Sequence, residues 1–135
     1  MHKRTVNPNG SPAPVGPYSH AVRVGDMLFC SGQIPIDPAT GQLVTGDIRV
    51  QTERVLENIR TILEAERLGF ESVVKTTVFL ADMADFAGMN EVYARYFTRD
   101  FPARSTIAVA ALPRGARVEI EVVASAPSGE NGLAR

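Results

Sequence analysis

Arg104 follows Phe101-Pro102-Ala103 and opens a β-branched run, so a proline fixes the chain's approach to a strand that begins with a guanidinium. A planar fork of N–H donors there can grip a carboxylate bidentately; it is equally an exposed arginine at a strand start. Further along, Glu119 and Glu121 alternate with Val118, Ile120 and Val122, which sends both carboxylates to one face of a strand whose other face is apolar. They form a solvated edge, or one of them, partly buried near the arginine, handles protons for a water nucleophile. Tyr18 and Ser31 bracket the first strand pair and can donate hydrogen bonds to a small polar ligand. His20 reads as a packed or surface histidine, since neither of the two histidines has a partner at metal-ligand spacing. Cys30 lies in an apolar run and reads as a small buried hydrophobe. No Gly-rich phosphate loop, Ser-His-Asp pattern or RNA-stacking motif stands out.

The elements that must position these groups follow from periodicity. The segment before Tyr18 holds Pro8, Pro12, Pro14, Pro17, Gly10 and Gly16, so residues 1–16 read as an extended proline-rich arm without regular structure. Residues 17–126 form one domain, and the polar stretch 127–135 reads as a flexible tail. Ala21 to Val24 and Met27 to Ser31 are antiparallel strands about a Gly25-Asp26 turn. After a loop with the turn composition Asp37-Pro38-Ala39-Thr40-Gly41, Asp47 caps a helix whose stripe of Ile48, Val55, Ile59 and Ile62 runs to a stop at Gly69. Ser72 to Leu80 is a strand with Val74, Thr76, Val78 and Leu80 on one face. Asp82 caps a second helix, striped by Phe86, Met89, Tyr93, Tyr96 and Phe97 and ended by Phe101-Pro102. Arg104 to Leu112 and Arg117 to Ala124 close the domain as two strands around Pro113 to Ala116.

The order β-β-α-β-α-β-β makes an α+β fold in which both helices cover one face of a single mixed sheet. The last strands have apolar residues on both faces, Ile107 and Val109 against Ala108, Ala110 and Leu112, so the helix-free face calls for a partner copy in a closed homo-oligomer. A simple hairpin of the last two strands would pair Arg104 near Ser125 and Glu119 near Ala110. The two would then lie roughly 20 Å apart along the ladder, at about 3.3 Å per residue.

Fourteen basic against fifteen acidic residues leave a net charge of -1, with no global field for phosphate backbones, so nucleic acid is an unfavoured partner. The single cysteine excludes an internal disulfide and fits a reducing compartment. With no apolar run near the roughly 20 residues that span a bilayer and no signal-peptide core, the expectation is a soluble, cytoplasmic protein that does not engage a membrane.

The stretch Pro102-Ala103-Arg104-Ser105-Thr106-Ile107, with Leu112 and Val118-Glu119-Ile120-Glu121, resembles the C-terminal signature of the RidA/YjgF family. Gly16-Pro17-Tyr18-Ser19, Ser31-Gly32-Gln33-Ile34-Pro35, Val74-Lys75-Thr76-Thr77-Val78-Phe79 and Asn90-Glu91-Val92-Tyr93 join it in the family's order, covering nearly everything from Asn7 to Ala124. The resemblance implies a chorismate-mutase-like fold in a homotrimer with a site in each inter-subunit cleft. It implies hydrolysis of reactive 2-imino acids, in equilibrium with enamines such as 2-aminoacrylate, to 2-keto acids and ammonia, with no metal or organic cofactor. In that reading Arg104 holds the substrate carboxylate, Glu119 positions or deprotonates water, Tyr18 and Ser31 shape the pocket, and Asn90 and Thr106 line it. Thr106 stands where archetypal members often carry cysteine, and Glu66-Arg67-Leu68-Gly69 is an unusual end to the first helix. The family also includes proteins described as endoribonucleases and translation inhibitors, and a binding or chaperone-like protein that holds small carboxylates without turnover is a third reading.

Overall fold

In the computed structural model, which describes residues 2–126, the carboxylate of Asp47 accepts a hydrogen bond from the Val50 N–H and starts α1 (Ile48–Ala65) where the sequence places it. Val55, Leu56, Ile59, Ile62 and Leu63 of this helix have no exposed surface. The helix stops before Gly69. Arg67 takes the left-handed conformation at φ 58°, and the N–H groups of Arg67 and Leu68 donate to the carbonyls of Glu64 and Leu63, which closes the last turn. A non-glycine residue bears that conformation beside Glu66, whose carboxylate is paired with both Arg4 and Arg23.

The sheet has six strands in the order β1-β2-β3-β6-β4-β5, formed by β1 (Lys3–Val6), β2 (Ala21–Val24), β3 (Met27–Gln33), β4 (Val73–Leu80), β5 (Ala103–Ala108) and β6 (Val118–Ser125). With α2 (Phe86–Tyr96) it gives the expected α+β architecture, a single mixed sheet with both helices on one face. The expectation that nothing regular precedes Tyr18 is corrected by β1. Its residues pair antiparallel with β2, and Arg4 reaches Glu66 at the end of α1, a tie to a residue distant in sequence that no local pattern displays. Gly25 supplies the positive φ of the tight β2–β3 turn.

A second correction concerns the last two strands. They do not pair with each other: β4 lies between them, parallel to β5 and antiparallel to β6. Arg104 therefore stands opposite Thr76, not Ser125, and Glu119 opposite Phe79, not Ala110. The 3-10 turn Pro113–Gly115, with Arg114 at φ 58° and Gly115 at φ 73°, carries the chain over the end of β4 instead of folding it back as a hairpin. Val74 also departs from the expected face. A bulge between Val73 and Lys75 turns it outward while Thr76, Val78 and Leu80 stay buried. Asp82 caps a 3-10 turn at Met83–Asp85, and α2 follows directly from it.

The core lies between sheet and helices, where Leu28, Val78, Leu80, Val118 and Ile120 meet Met89, Val92 and the apolar stripe of α1. The opposite face carries Val22, Phe29, Val123, Phe79 and Ile107, with Phe29 and Ile107 exposed. Among the described residues no helix is long and apolar enough to cross a membrane. The expected tail at 127–135 falls outside the described residues.

Candidate functional site

Arg104 is the second residue of β5, and its register with buried Thr76 places its side chain on the helix-covered side. There an N–H of the guanidinium donates to Asn90 Oδ1 at 2.7 Å. Its central carbon lies 4.7 Å from the centroid of the Tyr93 ring and 5.6 Å from that of Phe86. The Tyr93 hydroxyl is in turn fixed by a 2.8 Å hydrogen bond with Thr76 Oγ1 beneath it. Thr106, two residues along the same face, has a buried hydroxyl with no hydrogen-bond partner. Among the described residues no carboxylate pairs with Arg104, although six ion pairs hold the other arginines named in them.

The structure thus joins Asn90 to Arg104 by a hydrogen bond and sets Thr106 two residues along the same face of β5. It adds Phe86 and Tyr93, which in the sequence belong to the apolar stripe of α2, Tyr93 also closing the Asn90-Glu91-Val92-Tyr93 motif. Their spacing to Asn90, four residues before and three after, puts all three on one helical face and was the available signal.

Glu119 belongs to the other side. Its partner Phe79 lies on the helix-free face, and so does its carboxylate. The carboxylate lies against the Gly32 backbone so closely that a Cβ added there would fall 2.0 Å from Glu119 Oε2. A bulge between Cys30 and Gln33 shapes this part of β3. Burial, and then the neighbouring Glu121 carboxylate, hold the Glu119 carboxyl above the usual carboxylate range.

Ser31, beside Gly32, donates its hydroxyl proton to the Ser19 carbonyl at 2.6 Å, which leaves the oxygen as an acceptor. Tyr18 is 47% exposed, and its hydroxyl oxygen accepts from the Val15 N–H at 3.3 Å. Tyr18, Gly32 and Arg114 share the lining of a small cavity of about 40 Å³; no motif marks Arg114, which a left-handed turn brings there. His20 is structural. Its Nε2–H donates to the Pro12 carbonyl, and Nδ1 accepts from the Gln33 amide at 3.2 Å. Burial pushes the Cys30 thiol up to about 12, which keeps it protonated and unreactive at neutral pH.

The six residues singled out in the sequence therefore fall into two groups, with Arg104 and Thr106 on the helix-covered face of the sheet and Glu119 on the other. Asn90, Arg104 and Thr106 make an arginine-bearing half; Tyr18 and Ser31, which flank or line the surroundings of Gly32, go with Glu119 in an acid-bearing half.

A family model described as Endoribonuclease L-PSP matches residues 9–126. A RutC family protein of Pyrococcus horikoshii is 52% identical over 122 residues, covering 90% of this chain and 97% of the relative. The 2-iminobutanoate/2-iminopropanoate deaminase of Homo sapiens is 48% identical over 122 residues, covering 90% and 89%. Among solved structures, E. coli TdcF with bound serine superposes with a TM-score of 0.86 at 38% identity, covering 90% of this chain and 98% of that one. The chain belongs to the Endoribonuclease L-PSP family, the RidA/YjgF family that its motifs resemble.

Proposed function

We propose that this protein is a cofactor-independent enamine/imine deaminase, which hydrolyses reactive 2-imino acids to 2-keto acids and ammonia. The observation that carries this reading is Arg104, oriented by Asn90 and two aromatic rings and lacking a carboxylate partner among the described residues. Such a guanidinium is preorganised for an external carboxylate, which it can meet with two parallel N–H donors. The deaminase name of the human relative and the serine in TdcF, an amino acid that carries a carboxylate, support the same ligand class.

Turnover needs a proton acceptor for water, and Glu119 suits it. In the proposed site one copy supplies Arg104, Asn90 and Thr106, and a neighbouring copy supplies Glu119, Tyr18 and Ser31. The apolar helix-free face, with exposed Phe29 and Ile107, is the surface on which copies would join as a homotrimer. Glu119 removes a proton from water as the oxygen adds to the iminium carbon, and the C=N bond becomes a C–N single bond in a carbinolamine. The protonated carboxyl then returns the proton to nitrogen, and the C–N bond breaks to release ammonia. The regenerated carboxylate takes the hydroxyl proton as the C–O bond becomes the carbonyl of the keto acid, before passing that proton to solvent or to the departing ammonia. An acid held above the ordinary carboxylate range both accepts and returns a proton more evenly than a strongly ionised one. The electrophile is activated by its own protonation, so the protein mainly orients the attack.

The test generates imines in situ with an amino-acid oxidase and times keto-acid release with and without this protein. Acceleration that disappears in Arg104→Ala supports the reading, and release at the spontaneous rate refutes it.

A further inference from the structure

Beside the Arg104–Asn90 hydrogen bond the protein has a cavity of about 310 Å³, whose remaining walls are Tyr93, Ala94, Phe97, Phe101 and Pro102. Its polar groups are gathered at one end. The Tyr93 hydroxyl is engaged by Thr76, so this residue offers the cavity its ring. Phe101 is 71% exposed, a large apolar side chain at the rim with little packing of its own. At about 30 Å³ per water-sized group, the space holds on the order of ten such groups. An imine with one methyl beyond its carboxylate and imino carbon would leave much of that space unfilled.

We infer that this cavity is the side-chain pocket of the imine site, and that the preferred substrates carry a branched aliphatic or aromatic side chain. The inference rests on the deaminase reading and sharpens it. Arg104 fixes the carboxylate at the polar end, and the substrate side chain displaces water from the aromatic walls. Each methylene so buried improves binding about fourfold.

The stable product acids, in which a carbonyl replaces the C=NH group, test the pocket without turnover. Isothermal titration of the full chain should find 4-methyl-2-oxopentanoate, three carbons larger than pyruvate, bound on the order of 50-fold more tightly. Phenylpyruvate should also bind more tightly than pyruvate. Ala94→Leu fills the cavity from an exposed position on α2 and should narrow the preference on the order of tenfold. Phe101→Ala, which removes an exposed ring from the lining, should narrow it as well. Parallel assays compare kcat/KM for imines generated from leucine and from alanine, with the leucine-derived imine expected to be favoured. Absent binding, equal binding of all three acids, or a preference that neither substitution changes overturns the pocket assignment. Selective binding without acceleration of any imine overturns the deaminase reading and retains the pocket; acceleration of both imines without selectivity does the reverse.

Discussion

Arg104 and Glu119 project from opposite faces of one sheet: Arg104 stands opposite Thr76 under α2, and Glu119 opposite Phe79 on the side without helices. Their strands flank β4, and their registers differ by three residues along it. Strand spacing and rise then put the two Cα atoms roughly 14 Å apart. With the sheet between them, their side chains cannot share one small substrate within a chain. In the proposed function a second copy supplies the missing half of the site.

Arg104→Ala should lower kcat/KM by on the order of 30-fold to several thousandfold, the equivalent of about 2 to 5 kcal/mol for a truncated charge contact. Arg104→Lys should recover little of it, because an ammonium reproduces neither the planar fork nor the stacking on Tyr93 and Phe86. Steady-state kinetics on in situ imines gives both values. A lysine variant with near wild-type rates would show that only the charge matters.

Gly32→Ala should fold and lose activity. The three nearest atoms the new methyl would meet all belong to the Glu119 side chain, which would be pushed from its place while the backbone stays. The loss should be on the order of 100-fold and should not add to that of Glu119→Ala, since both act on one group. Additive losses in the double variant would separate the two residues.

The pH profile carries a signed expectation. Glu119 must be ionised to accept a proton, so the acid limb of kcat/KM should lie above the ordinary glutamate range and move to lower pH in Glu121→Gln, which removes the like charge. The raised folded-state value also means that the native chain binds more protons than the unfolded one between the two values, so stability falls as pH rises through that window. Glu119→Gln should therefore raise the melting temperature at pH 7 and lose this advantage at acid pH. An unchanged acid limb in Glu121→Gln would remove that carboxylate from the account.

Glu66 carries the opposite sign. Arg4, first by its hydrogen bond, and Arg23 hold its carboxyl below the usual range despite burial, so its contribution to stability is full above the ordinary glutamate value and lost as pH falls through the depressed one. Glu66→Gln should cost about 1 to 3 kcal/mol in urea unfolding at pH 7, with the difference shrinking at acid pH. Hydrogen exchange in Lys3–Val6 should accelerate in the same variant, because Glu66 ties this edge strand to α1.

Much of this arrangement is local enough to be read in the chain. Asp47 and the apolar stripe after it specify α1, and Asp82 with Phe86 to Phe97 specifies the region of α2 within a few residues. What escapes the sequence depends on distant partners. Lys3–Val6 looks like part of a proline-rich arm until β2 and Glu66 are in place, and the short link at Pro113–Gly115 suggests a hairpin until β4 is seen to occupy the gap. The site divides in the same way. Arg104, Glu119, Asn90 and Thr106 are legible through the family's motifs, and helical spacing sets Phe86 and Tyr93 on the face of Asn90, whereas the approach of Arg104 to those rings and the contact of Glu119 with Gly32 arise only from packing.

The most direct measurement of a shared site mixes two inactive preparations. Arg104→Ala chains and Glu119→Ala chains are combined at equal concentration, exchanged through mild denaturant, and assayed after native mass spectrometry has verified mixed trimers. Each mixed trimer in a cyclic assembly restores one complete Arg104–Glu119 site, so random exchange should return about a quarter of the wild-type sites and a matching share of imine hydrolysis. No recovery in verified mixed trimers would contradict a site built from two copies.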